Sequence, residues 1–147
     1  MKILVAGGAG YIGSVTTEML CDEGHEVVVF DNLERGYQLA VDPRAKFIQG
    51  DLRYKEDIKS ALLAERPDAV IHFAAYIEVG ESMTDPLPFF ENNVSGSLNL
   101  MSAMVEAGCK KLIFSSTCAT YGSPKKMPMD ETLPQKPESV YGESKLL

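Results

Sequence analysis

Tyr141 and Lys145 stand four residues apart in the segment "YGESK". On a helix that spacing places both side chains on one face. A phenol has a pKa of about 10 and is a poor base at neutral pH, but a neighbouring ammonium favours its phenolate. Thr117, in "SSTCATYG" at 115–122, adds a hydroxyl that can hydrogen-bond a substrate oxygen. These three residue types suit removal of a proton from an alcohol. A solvated helix face with the same spacing arises often by chance, so the pair gains meaning only from what else the chain carries.

A second group lies near the other end. "GGAGYIGS" at 7–14 follows the apolar run "KILVA" and sets glycines at Gly7, Gly10 and Gly13, with a further one at Gly8. Glycine inside an element costs about 0.5–1 kcal/mol relative to alanine, so the missing side chains call for a reason. A strand, then glycines, then a helix amino terminus forms a phosphate cradle. Backbone can approach a pyrophosphate closely, and the helix end presents N–H groups with a partial positive charge. The spacing is G-x-x-G-x-x-G, one residue different from the G-x-G-x-x-G dinucleotide fingerprint. The next apolar run, "EVVVF", ends in Asp31, 18 residues after Gly13. That is close to the spacing of about 20 for the acid that binds the adenosine ribose. A carboxylate there accepts hydrogen bonds from free hydroxyls and repels a 2′-phosphate, so NAD is expected over NADP. NAD would take the hydride that leaves the alcohol carbon as its proton is removed, and its positive ring would favour the Tyr141 phenolate further. Asp51, in "GDL" at 50–52, is placed beside an adenine pocket. Ala74 and Ala75, in "HFAAY", put small residues where backbone lies near the cofactor. His72 reads as a packed strand residue rather than a ligand.

The elements that must hold these groups can be read from periodicity. Five short apolar runs occur at 2–6, 26–30, 46–50, 69–73 and 111–116, most of them continuous, as in parallel strands covered on both faces. Between them, Ile12, Val15, Met19 and Leu20 fall on one face of a helix over Tyr11 to Glu23, which Gly24 is placed to end. A second helix is expected over Lys55 to Ala64 with Ile58, Ala61 and Leu62 inward. The longest runs from about Pro86 to Ala107 on a stripe of Leu87, Phe90, Val94, Leu98, Met101 and Val105, stopped by Gly108. Strands alternating with helices imply right-handed β-α-β crossovers, hence an α/β Rossmann-like, doubly wound parallel sheet. Residues 117–139 carry four prolines and read as a long functional loop, with a new helix from Ser139 or Val140.

Length and composition narrow the classes. The 147 residues suit one domain, 1–147. A formal net charge of −7 argues against nucleic acid or an anionic membrane as a partner. No apolar run approaches the roughly 20 residues of a membrane span. Cys21, Cys109 and Cys118 are odd in number and lack metal-ligand spacing, so no metal site is expected and a reducing cytoplasm is the natural compartment.

With "GGAGYIGS", "DNL", "GDL", "VIHFAA", "VGES", "NNVSGSLNL", "IFSST-A-YG" and "YGESK" assembled, the chain resembles the extended short-chain dehydrogenase/reductase superfamily. Within it, the chain is similar to the UDP-glucose 4-epimerases. The resemblance runs through essentially the whole chain. It implies a catalytic tyrosine at Tyr141, its lysine at Lys145 and a hydroxyl at Thr117. It also implies cofactor contacts from Gly7, Gly10, Tyr11, Ile12 and Gly13 in the cradle and from Asp31, Asn32, Asp51 and Leu52 beyond the next strands. Phe73, Ala74 and Ala75 would follow at the fourth strand, with Ser115, Tyr141 and Lys145 near the reacting end and one or both of Asn92 and Asn93 near the cofactor or the sugar nucleotide. The implied chemistry interconverts UDP-galactose and UDP-glucose, with bound NAD oxidising C4 and returning hydride to the opposite face. A UDP-sugar is thus the expected substrate, and a homodimer through the 86–107 helix a further expectation. Tyr76, Ile77 and Glu78 depart from the family pattern, and Cys118 stands where alanine is more usual. Relatives of this kind continue for roughly as many residues again. The chain therefore reads as the amino-terminal, cofactor-binding half, without the sugar-nucleotide domain, and is expected not to epimerise UDP-galactose by itself. Two other readings remain at this point. One is another NAD-dependent sugar-nucleotide enzyme of the superfamily, although 4,6-dehydratases carry Asp-Glu after the threonine where this chain has Cys118 and Ala119. The other is a non-catalytic NAD-binding fragment.

Overall fold

A computed structural model describes residues 1–147. The chain forms two compact units, Met1–Ala74 with Gly96–Ser115, and Ala75–Ser95 with Ser116–Leu147.

The first unit is a five-stranded parallel sheet. Its strands are β1 (Lys2–Ala6), β2 (Glu26–Asp31), β3 (Lys46–Gln49), β4 (Ala69–His72) and β5 (Leu112–Phe114), in the order β3-β2-β1-β4-β5. β1 pairs in register with β2 from Lys2↔Glu26 to Ala6↔Phe30, and with β4 from Ile3↔Ala69 to Ala6↔His72. Chain order reverses between β1 and β4, the point at which such sheets open a crevice beyond their carboxyl ends.

Alternate residues of each strand feed two cores, which is why the strands read as continuous apolar runs. Leu4, Ala6, Val28, Phe30 and Val70 pack with Ile58, Ala61 and Leu62 of α2 (Lys55–Glu65) and with Leu100, Ala103 and Met104 of α5 (Gly96–Ala107). Ile3, Val5, Val27, Val29 and Ile71 form the other core, with Leu20, Cys21 and Phe47 against it. Ion pairs add to α2: Lys55 and Lys59 reach Glu106 of α5 at 2.6 and 2.9 Å, and Lys2 and Lys46 reach the buried Glu65 at 2.9 and 2.5 Å. The three inward residues expected for α2 are buried, together with Glu65. β5 departs from the pattern, because Ile113 and Phe114 are exposed at the sheet edge.

Two helical faces differ from expectation. In α1 (Tyr11–Asp22) the buried residues are Gly13 and Thr17, whereas Ile12, Val15 and Met19 are exposed and Leu20 is half-buried. The helix lies on the sheet through its smallest residues, and a hydrophobic pattern cannot register that. The second difference concerns 86–107. It is not one uniform helix but a turn at α4 (Leu87–Phe89), a π-helical stretch at Phe90–Ser95 and then α5. A π turn shifts the register of the residues beyond it. The buried set is Phe89, Asn92, Asn93, Gly96, Ser97, Leu100, Ala103 and Met104, while Leu87, Leu98, Met101 and Val105 are exposed. Gly24 (φ +78°) and Gly108 (φ +74°) end α1 and α5 as expected, each in the left-handed conformation that closes a helix, with His25 N–H on Leu20 O and Cys109 N–H on Met104 O.

The second unit contains α3 (Val79–Thr84), α4, the π-helical stretch, a 3₁₀ turn at Cys118–Tyr121 and α6 (Val140–Leu146). α6 begins where expected. Ser139 caps it, its Oγ accepting the Gly142 N–H at 3.0 Å. Gly142 is buried, and a Cβ there would stand 2.7 Å from the Ala119 carbonyl oxygen, so the residue after Tyr141 has no room for a side chain.

Candidate functional site

The cradle is built in the first unit by the turn from β1 into α1. Gly7 has φ +83°, and a Cβ on it would lie 2.7 Å from Ala74 Cα and 2.9 Å from the Phe73 carbonyl carbon. The glycine turn therefore rests directly on the end of β4. Gly7 N–H bonds Phe30 O at 2.8 Å, and the N–H groups of Phe73 and Ala74 both reach Ala6 O, at 2.8 and 2.9 Å. Gly13 is needed for a different contact, since a Cβ there would sit 2.8 Å from Gly8 Cα.

Gly10 has neither reason. It adopts an ordinary extended conformation (φ −80°, ψ 174°) as the N-cap of α1, and a Cβ would meet only Gly7 O at 3.5 Å. The fold would accept a side chain at this position, and the space the side chain would fill lies at the helix amino terminus. α1 has no side-chain cap and no acid in its first turn, so its leading N–H groups are offered outward. A cradle of this form fits a diphosphate. Tyr11 and Ile12 follow on the exposed first turn.

Asp31 joins this turn. Its Oδ2 accepts the Ala9 N–H at 3.0 Å and its Oδ1 accepts the Leu33 N–H at 2.8 Å. The carboxylate is thus fixed against the cradle, and each oxygen keeps lone-pair capacity for a further donor. Leu33, next along, holds the left-handed conformation at φ +61°. Asn32 reaches Asp51 Oδ2 at 3.1 Å, which brings together the residues expected after β2 and β3. Leu52 is different: its side chain is in the core and its carbonyl accepts Asn99 Nδ2 at 2.9 Å. Phe73 and Ser115 are half-buried, the Ser115 N–H donating to His72 O at 3.1 Å. His72 is packed, as expected, with Nε2 2.8 Å from Ser97 Oγ and its ring edge-on to Phe114.

In the second unit, α6 carries Tyr141 half-buried and Lys145 buried. Burial pushes the Lys145 ammonium down to about 8, so it releases its proton far more readily than an exposed lysine. The Tyr141 N–H donates to Ser82 Oγ at 3.2 Å, and Ser82 Oγ donates to Val79 O at 2.6 Å. Ser144 Oγ donates to Tyr141 O at 2.8 Å and accepts Asn93 Nδ2 at 2.9 Å. Asn93 Nδ2 also reaches Tyr76 O at 3.0 Å, and Asn93 Oδ1 accepts the Tyr76 N–H at 2.8 Å and Asn92 Nδ2 at 3.0 Å. The turn that carries Tyr141 is therefore tied to two other segments of its unit. Thr117 Oγ1 accepts the Ala119 N–H at 3.2 Å, capping the 3₁₀ turn, and keeps its own proton to donate. Ala75 is half-buried at the start of this unit, and Cys118 is exposed.

Sequence reasoning missed Ser82 and Ser144. The "NNV" segment points to Asn92 and Asn93, and both are buried, Asn93 joining Tyr76 to Ser144. Ser82 meets Tyr141 across 59 positions, and no local pattern announces such a pairing. Groups of histidine, cysteine and carboxylates able to hold a metal ion are absent, and no helix is long and apolar enough to cross a membrane.

The UDP-glucose 4-epimerase of Lacticaseibacillus casei is 53% identical over 146 residues, which are 99% of this chain and 44% of that protein. The crystal structure of UDP-glucose 4-epimerase from Brucella ovis in complex with NAD superposes with a TM-score of 0.96 at 43% identity, covering 99% of this chain and 44% of that one. The UDP-glucose 4-epimerase of Thermotoga maritima with UDP-glucose gives 0.95 at 37% identity, covering 99% and 48%. The chain thus spans less than half the length of these relatives. The model of the NAD dependent epimerase/dehydratase family matches residues 3–147, and with the parallel sheet and the glycine turn in place, the chain belongs to that family.

Proposed function

We propose that the chain binds NAD at the β1–α1 turn and carries the proton-transfer group of a UDP-glucose 4-epimerase. The observation that carries this reading is Gly10, a glycine the fold does not require, at the amino terminus of a helix without a side-chain cap. The N–H groups of that turn would hold the pyrophosphate, and Asp31 would accept hydrogen bonds from the ribose hydroxyls. Asn32, Asp51 and the backbone of Leu52 would line the adenosine end, and the backbone of Phe73 and Ala74 would flank the cradle. NAD, when bound, supplies the acceptor and donor of hydride.

The chain's own residues handle the proton. Tyr141, as phenolate, takes the proton of the sugar C4 hydroxyl and returns it in the reverse half-reaction. Lys145 favours that phenolate electrostatically while it is protonated, which its pKa of about 8 permits at neutral pH. Thr117 donates a hydrogen bond from its hydroxyl to the reacting oxygen. Ser82 and Asn93 hold the backbone of α6 so that Tyr141 keeps one position, as general base catalysis needs. The NAD and UDP-glucose complexes of the relatives support cofactor and substrate class, and Cys118 and Ala119 after Thr117 disfavour dehydration. On α5 the exposed Leu98, Met101 and Val105 support a homodimer through this helix, and sedimentation of Met101→Glu against the parent chain tests it, a monomeric parent refuting it.

Calorimetry with NAD on the purified chain and on Gly10→Thr, threonine being about equal to glycine as an N-cap, decides the cofactor reading. The expected result is NAD binding in the parent, loss of at least tenfold in the variant, and an unchanged melting temperature. Equal affinity in the two chains, or no binding in the parent, would refute it.

A further inference from the structure

We infer that Arg53 is a cofactor-specificity residue, a cation that could take a ribose 2′-phosphate but is held from it by Glu34 and Asp51. This rests on the dinucleotide reading above. The observation is a closed square of side chains beyond the ends of β2 and β3. Arg53 Nη2 donates to Glu34 Oε2 at 2.8 Å and to Asp51 Oδ2 at 2.6 Å. Asn32 Nδ2 donates to the same two oxygens, at 3.2 and 3.1 Å. Arg53 Nε adds 3.0 Å bonds to both oxygens of Asp51.

The square adjoins the ribose acid covalently, because Asn32 follows Asp31. Three further bonds fix the link. Asp31 Oδ1 accepts the Leu33 N–H, Asn32 Oδ1 accepts the Glu34 N–H at 3.0 Å, and Asp51 Oδ1 accepts the Arg53 N–H at 2.8 Å. Leu33 pays for this arrangement with a left-handed backbone that leucine disfavours, so the turn is held by its bonds and not by local preference.

Arginine is the side chain best suited to a phosphate, through its planar fork of donors. Here that fork faces two carboxylates at once. Glu34, Asp51 and Arg53 together carry a net charge of −1, and Asp31 makes it −2. A 2′-phosphate brought against these four side chains therefore meets repulsion from Asp31, and the one cation among them is already paired. Two layers of discrimination follow. Asp31 rejects the phosphate directly, and Glu34 and Asp51 together withhold the guanidinium that would otherwise welcome it. Removing Asp31 alone leaves the second layer in place.

Calorimetry with NAD and NADP on the full 147-residue chain separates the layers. Asp31→Ser should weaken NAD and leave NADP weak. Adding Glu34→Gln together with Asp51→Asn should raise NADP affinity at least tenfold over Asp31→Ser, with a steeper loss at high salt as the freed cation engages the phosphate. Adding Arg53→Met should abolish that gain. Glu34 lies exposed on a loop, and if the glutamine variant precipitates, Glu34→Ala serves, with competition by adenosine 2′-monophosphate as the second readout. A gain that survives Arg53→Met, or no gain on neutralising Glu34 and Asp51 in the Asp31→Ser chain while the parent binds NAD, overturns the inference alone. Absence of NAD binding in the parent chain overturns the dinucleotide reading and this inference with it.

Discussion

Replacing Gly13 by alanine sets two magnitudes against each other. Gly13 lies in the first turn of α1, where alanine is favoured over glycine by about 1 kcal/mol. The new Cβ would stand 2.8 Å from Gly8 Cα and 2.9 Å from Gly7 C, and closer still to Gly7 O. Carbon pairs settle at about 3.5–4.0 Å, so backbone must move by roughly 0.6 Å or more. The neighbours are backbone atoms of the cradle and cannot rotate away as a side chain would. Overpacking of this kind costs about 1–3 kcal/mol, which exceeds the propensity gain. The expected net loss is about 1 kcal/mol, a fall of about 2–4 °C in melting temperature for a chain of this size. The larger effect falls on ligand binding. Loss of one hydrogen bond to a charged phosphate costs about 1.5–3 kcal/mol, or roughly ten- to a hundredfold in NAD affinity. Calorimetric unfolding and NAD titration measure both. Gly80→Ala is the stability control, because a Cβ there meets nothing within 4 Å, and it should be neutral or slightly stabilising. A Gly13→Ala chain as stable as its parent, with NAD affinity within twofold, would refute the packing argument.

Two further predictions concern stability. Lys145 has its pKa depressed from 10.5 to about 8 by burial, so between those values the unfolded chain binds the extra proton and stability contributed by this group rises with pH. Lys145→Met removes the cost of the buried ammonium and should be more stable than its parent at pH 7 by about 3 kcal/mol, the advantage shrinking toward pH 10. Urea unfolding of both chains at pH 7 and 9.5 measures this. The comparison also cancels Cys21, whose raised pKa acts in the opposite direction, and a parent more stable than the variant at pH 7 would contradict it. Arg66 closes α2 in the left-handed conformation (φ 47°, ψ 57°) and is exposed. Arg66→Gly removes about 1–2 kcal/mol of backbone strain and loses about 0.5–1 kcal/mol to unfolded-state entropy. A gain of about 0.5–1 kcal/mol is expected, and thermal melting of a less stable variant would count against it.

Much of this molecule was determined by short-range sequence. The five strands, the α2 face of Ile58, Ala61 and Leu62, the glycine helix ends at Gly24 and Gly108, and the start of α6 at Ser139 follow from local pattern and backbone preference. So do the order of glycines after β1 and the carboxylate after β2, because strand ends in a parallel sheet meet on one edge. Tertiary structure decided the helical faces. Close approach to a sheet or to a buried hydrogen-bond network selects small and polar residues, so Gly13, Thr17, Asn93 and Ser97 are buried while Ile12, Val15, Leu98 and Val105 face outward. A π-helical turn shifted the register of the long helix, and periodicity does not reveal such a turn. Tertiary structure also decided which glycines the fold requires. Gly7 and Gly13 are forced by neighbouring backbone and Gly10 is not, although all three look alike in the chain. The same holds for the bonds of Ser82 to Tyr141 and of Arg53 to Glu34. Their geometry arises from segments that meet only when the chain has folded.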